Sequence, residues 1–209
     1  MQLQPEDVLI VVDVQSDFLP GGTLAVPDGD AVVPAVNRLG AVFGHVVLTQ
    51  DWHPPGHVSF AASHPGHAPF TETEVTYGRQ MLWPVHCVQG TPGAALAAGL
   101  DLPGAELVIR KGCRPGVDSY SAFTEADRRT PTGLTGYLRE RGARRLFLAG
   151  LATDYCVAWS AQDAAAAGFE AWVVEDACRG ISSASMDRAW QAMAQVGVKR
   201  TGMAALLGA

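Results

Sequence analysis

The chain has 209 residues, 48% of them hydrophobic and 17% charged, and a formal net charge of −6 at pH 7. This composition predicts one globular domain over residues 1–209. It argues against nucleic acid or a membrane as a partner, because there is no Lys/Arg cluster and no apolar run approaches the roughly 20 residues of a membrane span. The start lacks the basic segment of a signal peptide and the four cysteines show no CxxC spacing, which predicts reduced thiols in the cytoplasm.

Short apolar runs alternate with helical patterns along most of the chain. Strands are predicted over residues 8–14, 46–49, 107–111, 146–150 and 170–175, with a short last strand at 198–201. Helices are predicted over 31–42, 133–141, 185–196 and in the Ala-rich segment after residue 153. The Pro-, Gly- and His-rich region 51–104 is predicted to be irregular, with a short helix near 94–99. This alternation predicts an α/β fold with a mostly parallel sheet and right-handed crossovers.

The segment 147–164, FLAGLATDYCVAWSAQDA, runs from a buried strand into a helix. Thr153 is the predicted N-cap, which puts Cys156 in the first helical turn. There the helix dipole favours a thiolate, and a backbone N–H without an intrahelical partner can stabilise an oxyanion. The turn could therefore carry a nucleophile, although a buried structural cysteine is the alternative.

Two charged residues stand at the ends of otherwise apolar strands, Asp13 on the first and Lys111 on the third. Either would be unfavourable to bury alone, and the carboxyl ends of parallel strands are where ligands gather. We expect Asp13 to accept the Cys156 proton and deliver it to a leaving amine, and Lys111 to lower the pKa values of both anions. The alternative is a structural ion pair beside a bystander cysteine.

A second group has the chemistry of metal ligands. DWHPPGH contains Asp51, His53 and His57, and WPVHC adds His86. One carboxylate and three imidazoles suit zinc, iron or manganese. The spacing is not diagnostic, because loop histidines are common and two more, at positions 64 and 67, lie nearby.

The motifs together resemble one family, the nicotinamidases (also called pyrazinamidases) of the isochorismatase-like cysteine hydrolases. The matching segments are, in order, VDVQSDFLPGGTLAV, QDWHPPGHVSF, WPVHCVQGTPGA, IRKG with DSYSAF, and GLATDYCV. The resemblance implies a three-layer αβα fold of Rossmann-type topology, with a six-stranded, mostly parallel sheet and helices on both faces. It also implies an Asp–Lys–Cys triad of Asp13, Lys111 and Cys156.

The resemblance further implies a metal-dependent amidohydrolase that converts nicotinamide to nicotinate and ammonia through a Cys156 thioester, as a step of NAD salvage and pyridine nucleotide biosynthesis. One divalent transition metal per chain, zinc before iron or manganese, would hold the pyridine nitrogen. The implied residues are the ligands Asp51, His53, His57 and His86, the backbone oxyanion donors Ala152 and Cys156 next to a cis Leu151–Ala152 peptide, and the ring walls Phe18, Trp83 and Tyr120. Gln15 and Asp17 would orient the metal ligands. Pyrazinamide as a second substrate and a homo-oligomer remain open.

Three other functions compete with this one. A relative of the same fold could hydrolyse carbamoyl or ureido compounds or isochorismate, and such relatives generally lack the Asp/His group. A metal-bound water could be the nucleophile while Cys156 stays passive. The fold could also serve as a binding module without catalysis.

Overall fold

The computed structural model describes residues 1–208, and its centre is a parallel β-sheet. In chain order the strands are β1 (Val8–Val12), β2 (His45–Asp51), β3 (Glu72–Val75), β4 (Gly78–Met81), β5 (Ala105–Lys111), β6 (Arg145–Leu151), β7 (Glu170–Arg179) and β8 (Lys199–Thr201). Six of them form one sheet in the order β5-β2-β1-β6-β7-β8, and every neighbouring pair is parallel. β3 and β4 form a separate antiparallel hairpin.

Helices cover both faces of this sheet. They are α1 (Val32–Gly40), α2 (Leu134–Glu140), α3 (Ala158–Ala166), α4 (Ser183–Gln195) and α5 (Met203–Leu207). Alternate residues of β1 point to opposite faces, so that Leu9 packs with α1 and α5 while Ile10 packs with α2, α3 and α4. Because both faces are buried, the strand is apolar throughout. The predicted three-layer fold with its six-stranded sheet is confirmed.

The region between β2 and β5 departs from the prediction. The helix expected near residues 94–99 is wrong, since only a 3-10 turn, Pro92–Ala94, is present. Tertiary hydrogen bonds hold this stretch against the end of β1, where the Ala97 N–H donates to the Val14 carbonyl at 2.9 Å. The β3–β4 hairpin was not predicted, because its strands are short and mostly polar.

The strand order creates a crevice at the carboxyl edge of the sheet. β1 and β6 are neighbours, but the chain continues from β1 to β2 on one side and from β6 to β7 on the other. Open α/β sheets bind ligands at such a switch point. Among residues 1–208, no helix combines the length and the hydropathy needed to cross a bilayer.

Candidate active site

Four buried polar side chains meet at this carboxyl edge. Asp13 follows β1, Asp51 ends β2, Lys111 ends β5, and Cys156 lies in the turn after β6. Asp13 and Lys111 have no exposed surface, and Asp51 and Cys156 have 4% and 7%. Three segments far apart in sequence, around Asp13, Lys111 and Cys156, are therefore brought to one place by the parallel sheet.

The Lys111 ammonium group is the centre of this cluster. It donates to the Ser119 carbonyl at 3.0 Å, to Cys156 Sγ at 3.3 Å and to Asp51 Oδ1 at a very short distance. Its three protons are thereby used. Asp13 Oδ2 lies 2.8 Å from Lys111 Nζ as an ion pair, but no aligned hydrogen bond reaches that oxygen. Asp13 Oδ2 therefore remains available to accept a proton.

The charges of the cluster are set first by burial. Burial raises the pKa of the Cys156 thiol well above its usual value, and Lys111 offsets this only in part. Burial likewise raises the pKa of Asp13 against the opposing effect of Lys111. Lys111 lowers both pKa values as expected, but desolvation outweighs this attraction and both pKa values are raised overall. Cys156 therefore rests as a thiol, and its activation requires a base.

The turn that carries Cys156 differs in detail from the prediction. Thr153 does not act as an N-cap, because a π-helical turn, Thr153–Val157, precedes α3 and no side chain caps it. The Val157 N–H donates to the Ala152 carbonyl at 3.1 Å, the five-residue spacing of a π-helix. The Leu151–Ala152 peptide is cis, as expected.

Asp154 connects this turn to the start of α4. Its carboxylate accepts from the Ile181 N–H at 3.0 Å, from the Ser182 N–H at 3.3 Å and from the Ser185 hydroxyl at 2.5 Å. A carboxylate at the positive end of a helix is favourable. The nucleophile turn and Ile181, which lines the same cavity as Cys156, are thus held together.

Asp51, His53 and His86 form a group that could hold a metal ion. Asp51 Oδ2 lies 3.6 Å from His53 Nε2 and 3.9 Å from His86 Nε2. The Nδ1 atoms hydrogen-bond to the backbone carbonyls of Gly112 at 3.0 Å and Pro84 at 2.8 Å. Each Nδ1 therefore carries a proton, and both Nε2 atoms face Asp51. Burial alone would lower the pKa of His53, but Asp51 raises it above its usual value.

The ionisation of this group also suits a cation. Burial alone would raise the pKa of Asp51, but Lys111 and His53 hold it below its usual range. Burial, with the charge of His53, lowers the pKa of His86 to about 4, so that imidazole is neutral at pH 7. Gly112 has φ +62°, and a Cβ there would lie 2.4 Å from the His53 ring. A glycine at this position lets the backbone carbonyl approach the ligand. The donor set fits a zinc-like ion.

His57 lies outside this group, although the sequence grouped it with the other three. Its Nδ1 pairs with Ser59 Oγ at 2.8 Å and its Nε2 with the Val117 carbonyl at 3.1 Å. Its ring stacks on His53 with centroids 4.2 Å apart. In this structure both ring nitrogens have protein partners, and His57 forms with His53 and Asp118 a second group whose ligand atoms lie within 4.8 Å of one another.

Gln15 and Asp17 act on backbone groups and not on the imidazoles. Gln15 brackets Asp51, donating to its carbonyl at 2.9 Å and accepting from its N–H at 2.8 Å. Asp17 accepts from the Cys87 N–H at 2.7 Å and so fixes the residue after His86.

A partly open cavity is lined by residues of both groups. The predicted wall residues Phe18, Trp83 and Tyr120 all line it, and Trp83 Nε1 donates to the Tyr120 hydroxyl at 3.1 Å. Asp118 and Tyr155 also line the cavity, although neither was predicted from the sequence. Both lie next to motif residues that were named, but nothing in their spacing indicates which way their side chains point.

The β3–β4 hairpin contributes to this wall indirectly. Gln80, on β4, donates to Asp118 Oδ2 at 2.6 Å and accepts from the Tyr77 hydroxyl at 2.7 Å. The same amide lies 3.3 Å from the Tyr120 hydroxyl. The hairpin thus braces the loop that carries Asp118 and Tyr120.

The loop also contains a buried carboxyl group with an incomplete set of partners. Glu125 Oε2 is buried without a hydrogen bond, and burial raises the pKa of Glu125 to about 7, partly offset by Lys111 and Arg114. Between about pH 4.5 and 7 the folded chain holds a proton that the unfolded chain has released. The free energy of unfolding should therefore fall as the pH rises through that window.

We expect Glu125→Gln to flatten this decline and to raise the free energy of unfolding at pH 8 by about 1–2 kcal/mol, after allowance for solvent screening. Urea unfolding of both proteins at pH 5 and pH 8 measures the difference. Glu140→Gln, at an exposed position on α2, is the matched control. Equal pH slopes for the wild type and Glu125→Gln would contradict the prediction.

Comparison with known proteins gives a consistent picture. The protein-family model described as Isochorismatase domain matches residues 7–205. The chain is 54% identical over 193 residues to a nicotinamidase of Acinetobacter baylyi, covering 92% of this chain and 90% of the relative.

Solved structures agree with this similarity. An Acinetobacter baumanii nicotinamidase/pyrazinamidase superposes with a TM-score of 0.97 at 53% identity, covering 99% of this chain and 100% of the other. The L. infantum PnC1 protein in complex with nicotinate superposes with a TM-score of 0.87 at 38% identity, covering 98% of this chain and 97% of the other. A Pyrococcus horikoshii pyrazinamidase in complex with zinc superposes with a TM-score of 0.79 at 38% identity, covering 95% of this chain and 99% of the other.

Proposed function

The chain belongs to the isochorismatase family, and on that premise we propose that it hydrolyses nicotinamide to nicotinate and ammonia. One observation carries the proposal: a single cavity is lined by Cys156 and by the Asp51, His53 and His86 group. Asp51 contacts both Lys111 and the two imidazoles, so the two groups are directly connected. Phe18, Trp83 and Tyr120 give the cavity walls suited to a planar ring.

The first half of the reaction belongs to the Asp13–Lys111–Cys156 cluster. Asp13 Oδ2 accepts the thiol proton as the sulfur forms a bond to the carboxamide carbon. We assign the backbone N–H groups of Ala152 and Cys156 as donors to the oxyanion. The proton then passes from Asp13 to the amide nitrogen, the C–N bond breaks and ammonia leaves.

The second half returns the enzyme to its starting state. Asp13 takes a proton from water, and the hydroxide attacks the thioester carbon. The C–S bond breaks, the sulfur recovers the proton from Asp13, and nicotinic acid forms and ionises. Lys111 keeps Asp13 oriented throughout and stabilises negative charge on sulfur.

We assign Asp51, His53 and His86 as the ligands of one divalent metal ion. When bound, this ion supplies a Lewis-acidic position for the pyridine nitrogen, which orients the ring. The zinc in the P. horikoshii neighbour supports zinc here, with iron or manganese as the other metals that suit these ligands. Phe60 packs edge-on against His53 and His86, with centroids 5.6 and 5.5 Å away, and holds both rings in place.

The ligand assignment predicts unequal effects of two histidine substitutions. His86→Ala removes a metal-facing nitrogen and should lower metal affinity at least about 100-fold. His57→Ala removes a stacking partner of His53 and two hydrogen bonds to residues outside the ligand set, and should lower the affinity less than about 10-fold. Metal content after dialysis against a graded chelator measures both. If His57→Ala loses metal as readily as His86→Ala, the ligand set includes His57.

The function itself is tested with the purified, metal-loaded protein. Release of ammonia and nicotinate from nicotinamide, with pyrazinamide and carbamoyl or ureido compounds as alternative substrates, identifies the substrate class. We expect nicotinamide turnover, about one metal ion per chain, and loss of turnover on chelation that added metal restores. Turnover of carbamoyl compounds alone would overturn the proposal.

The proposed reaction places the protein in NAD salvage, with a small molecule as its partner. We propose the cytoplasm as its compartment.

A further inference from the structure

The backbone of Asp13 is in an unusual conformation. Its φ is +48°, in the left-handed region that residues other than glycine rarely adopt. The side chain has no exposed surface, so water cannot hold it in place. Something in the protein must fix both the backbone and the carboxylate of this residue.

The contacts identify Thr49 as that residue. Its Oγ1 accepts from the Asp13 N–H at 3.0 Å and donates to Asp13 Oδ1 at 2.5 Å. One hydroxyl group therefore holds Asp13 at two points. Thr49 lies on β2, beside β1, and is itself fully buried.

The strand does not require a hydroxyl group at this position. The sequence of β2 is HVVLTQD, and valine has the same branched shape as threonine and an equal preference for strands. A buried hydroxyl group is unfavourable unless it is hydrogen-bonded, and both hydrogen bonds of the Thr49 hydroxyl group are made with Asp13. The hydroxyl therefore serves Asp13.

The two oxygens of Asp13 consequently differ. Oδ1 is occupied by Thr49, while Oδ2 has no hydrogen-bond donor and lies 2.8 Å from Lys111 Nζ. A carboxylate oxygen of Asp13 and Cys156 Sγ lie within 4.8 Å of each other. Without the contact to Oδ1, the carboxylate could rotate and present either oxygen.

We propose that Thr49 is a positioning residue that reserves Asp13 Oδ2 as the acceptor of the Cys156 proton. The inference rests on the proposed function for the identity of the substrate, but the reactivity of Cys156 can be measured without one.

The experiment compares Thr49→Val, which keeps the shape and removes the hydroxyl, with Thr49→Ser, which keeps the hydroxyl. Thr201→Val, at a buried position on β8 far from Asp13 in the strand order, is the matched control. For each protein we would measure kcat and KM for nicotinamide, metal content, and the rate at which iodoacetamide alkylates Cys156.

Thr49→Val should lower kcat about 100-fold and slow alkylation, with KM within about twofold and the metal retained. Thr49→Ser should restore kcat to within about fivefold of the wild type, and Thr201→Val should match the wild type. If Thr49→Val does not fold, Thr49→Ala is compared with Thr49→Ser by the same criteria.

Three results would overturn the inference. They are wild-type kcat and alkylation in Thr49→Val, equal losses in the valine and serine variants, and a loss of kcat that added metal restores. If the wild type does not hydrolyse nicotinamide but Thr49→Val alone slows alkylation, the positioning role stands and the proposed function fails.

Discussion

Replacing Cys156 by alanine is expected to lower kcat for nicotinamide by at least about 10⁴-fold while metal content stays at the wild-type level. The thiol lies 3.3 Å from Lys111 and lines the cavity, but it is not part of the Asp51, His53 and His86 group. Its removal therefore deletes the nucleophile and leaves the metal ligands in place. Ammonia release and metal analysis of the same preparation measure both quantities.

Cys178→Ala is the control for this experiment. Cys178 is also a buried thiol, pairs with Gly150 across β6 and β7, and is absent from the cavity lining. Its truncation should reduce stability by the amount typical of a small cavity, with kcat unchanged. If Cys156→Ala keeps substantial activity, a water molecule activated at the metal is the nucleophile and the thioester mechanism is wrong.

Much of the fold and of the cluster could be predicted, because burying a charged side chain is unfavourable and such residues are therefore conspicuous in apolar strands. Asp13 and Lys111 are conspicuous as charges at the ends of apolar strands, and a parallel sheet brings such ends to one edge. The strand pattern alone therefore predicts that these two residues come to the same edge of the sheet, without knowledge of the loop conformations.

The remainder depends on contacts between distant segments. Whether His57 faces a metal or the Val117 carbonyl is decided by where the loop after Lys111 lies, about 60 residues further along the chain. The π-helical turn before α3 could not be predicted from the sequence either, because threonine, the residue at position 153, is also a common N-cap residue. The raised pKa of Cys156 results from the burial of its thiol, which cannot be predicted from the spacing of residues in the sequence.

Asp51 links the two halves of the site. Oδ1 accepts from Lys111, and Oδ2 faces the Nε2 atoms of His53 and His86. The same carboxylate thus contacts both the proposed metal ligands and the Lys111–Cys156 cluster, so a change at Asp51 is expected to affect both. Lys111 forms an ion pair with both Asp13 and Asp51.

Lys111→Met is therefore expected to reduce the free energy of unfolding by about 3–5 kcal/mol, because it removes the ammonium group that pairs with two buried carboxylates. Burial alone would lower the pKa of Lys111, but Asp13 and Asp51 raise it well above its usual value, so the charge is present at all ordinary pH values. Urea unfolding measures the loss, and kcat of any folded fraction should fall with it.

The matched control is Lys199→Met. Lys199 also pairs with a carboxylate, Glu170, but both side chains are about half exposed, at 51% and 42%. Breaking this pair should change the free energy of unfolding by less than about 1 kcal/mol, because water screens the charges. If the two variants lose the same amount, Lys111 does not neutralise Asp13 and Asp51, and the electrostatic account of the cluster is wrong. A large loss at Lys111 alone, partly recovered on adding Zn²⁺, would mean that a cation at Asp51 can replace part of the missing charge, as expected if one carboxylate serves both groups.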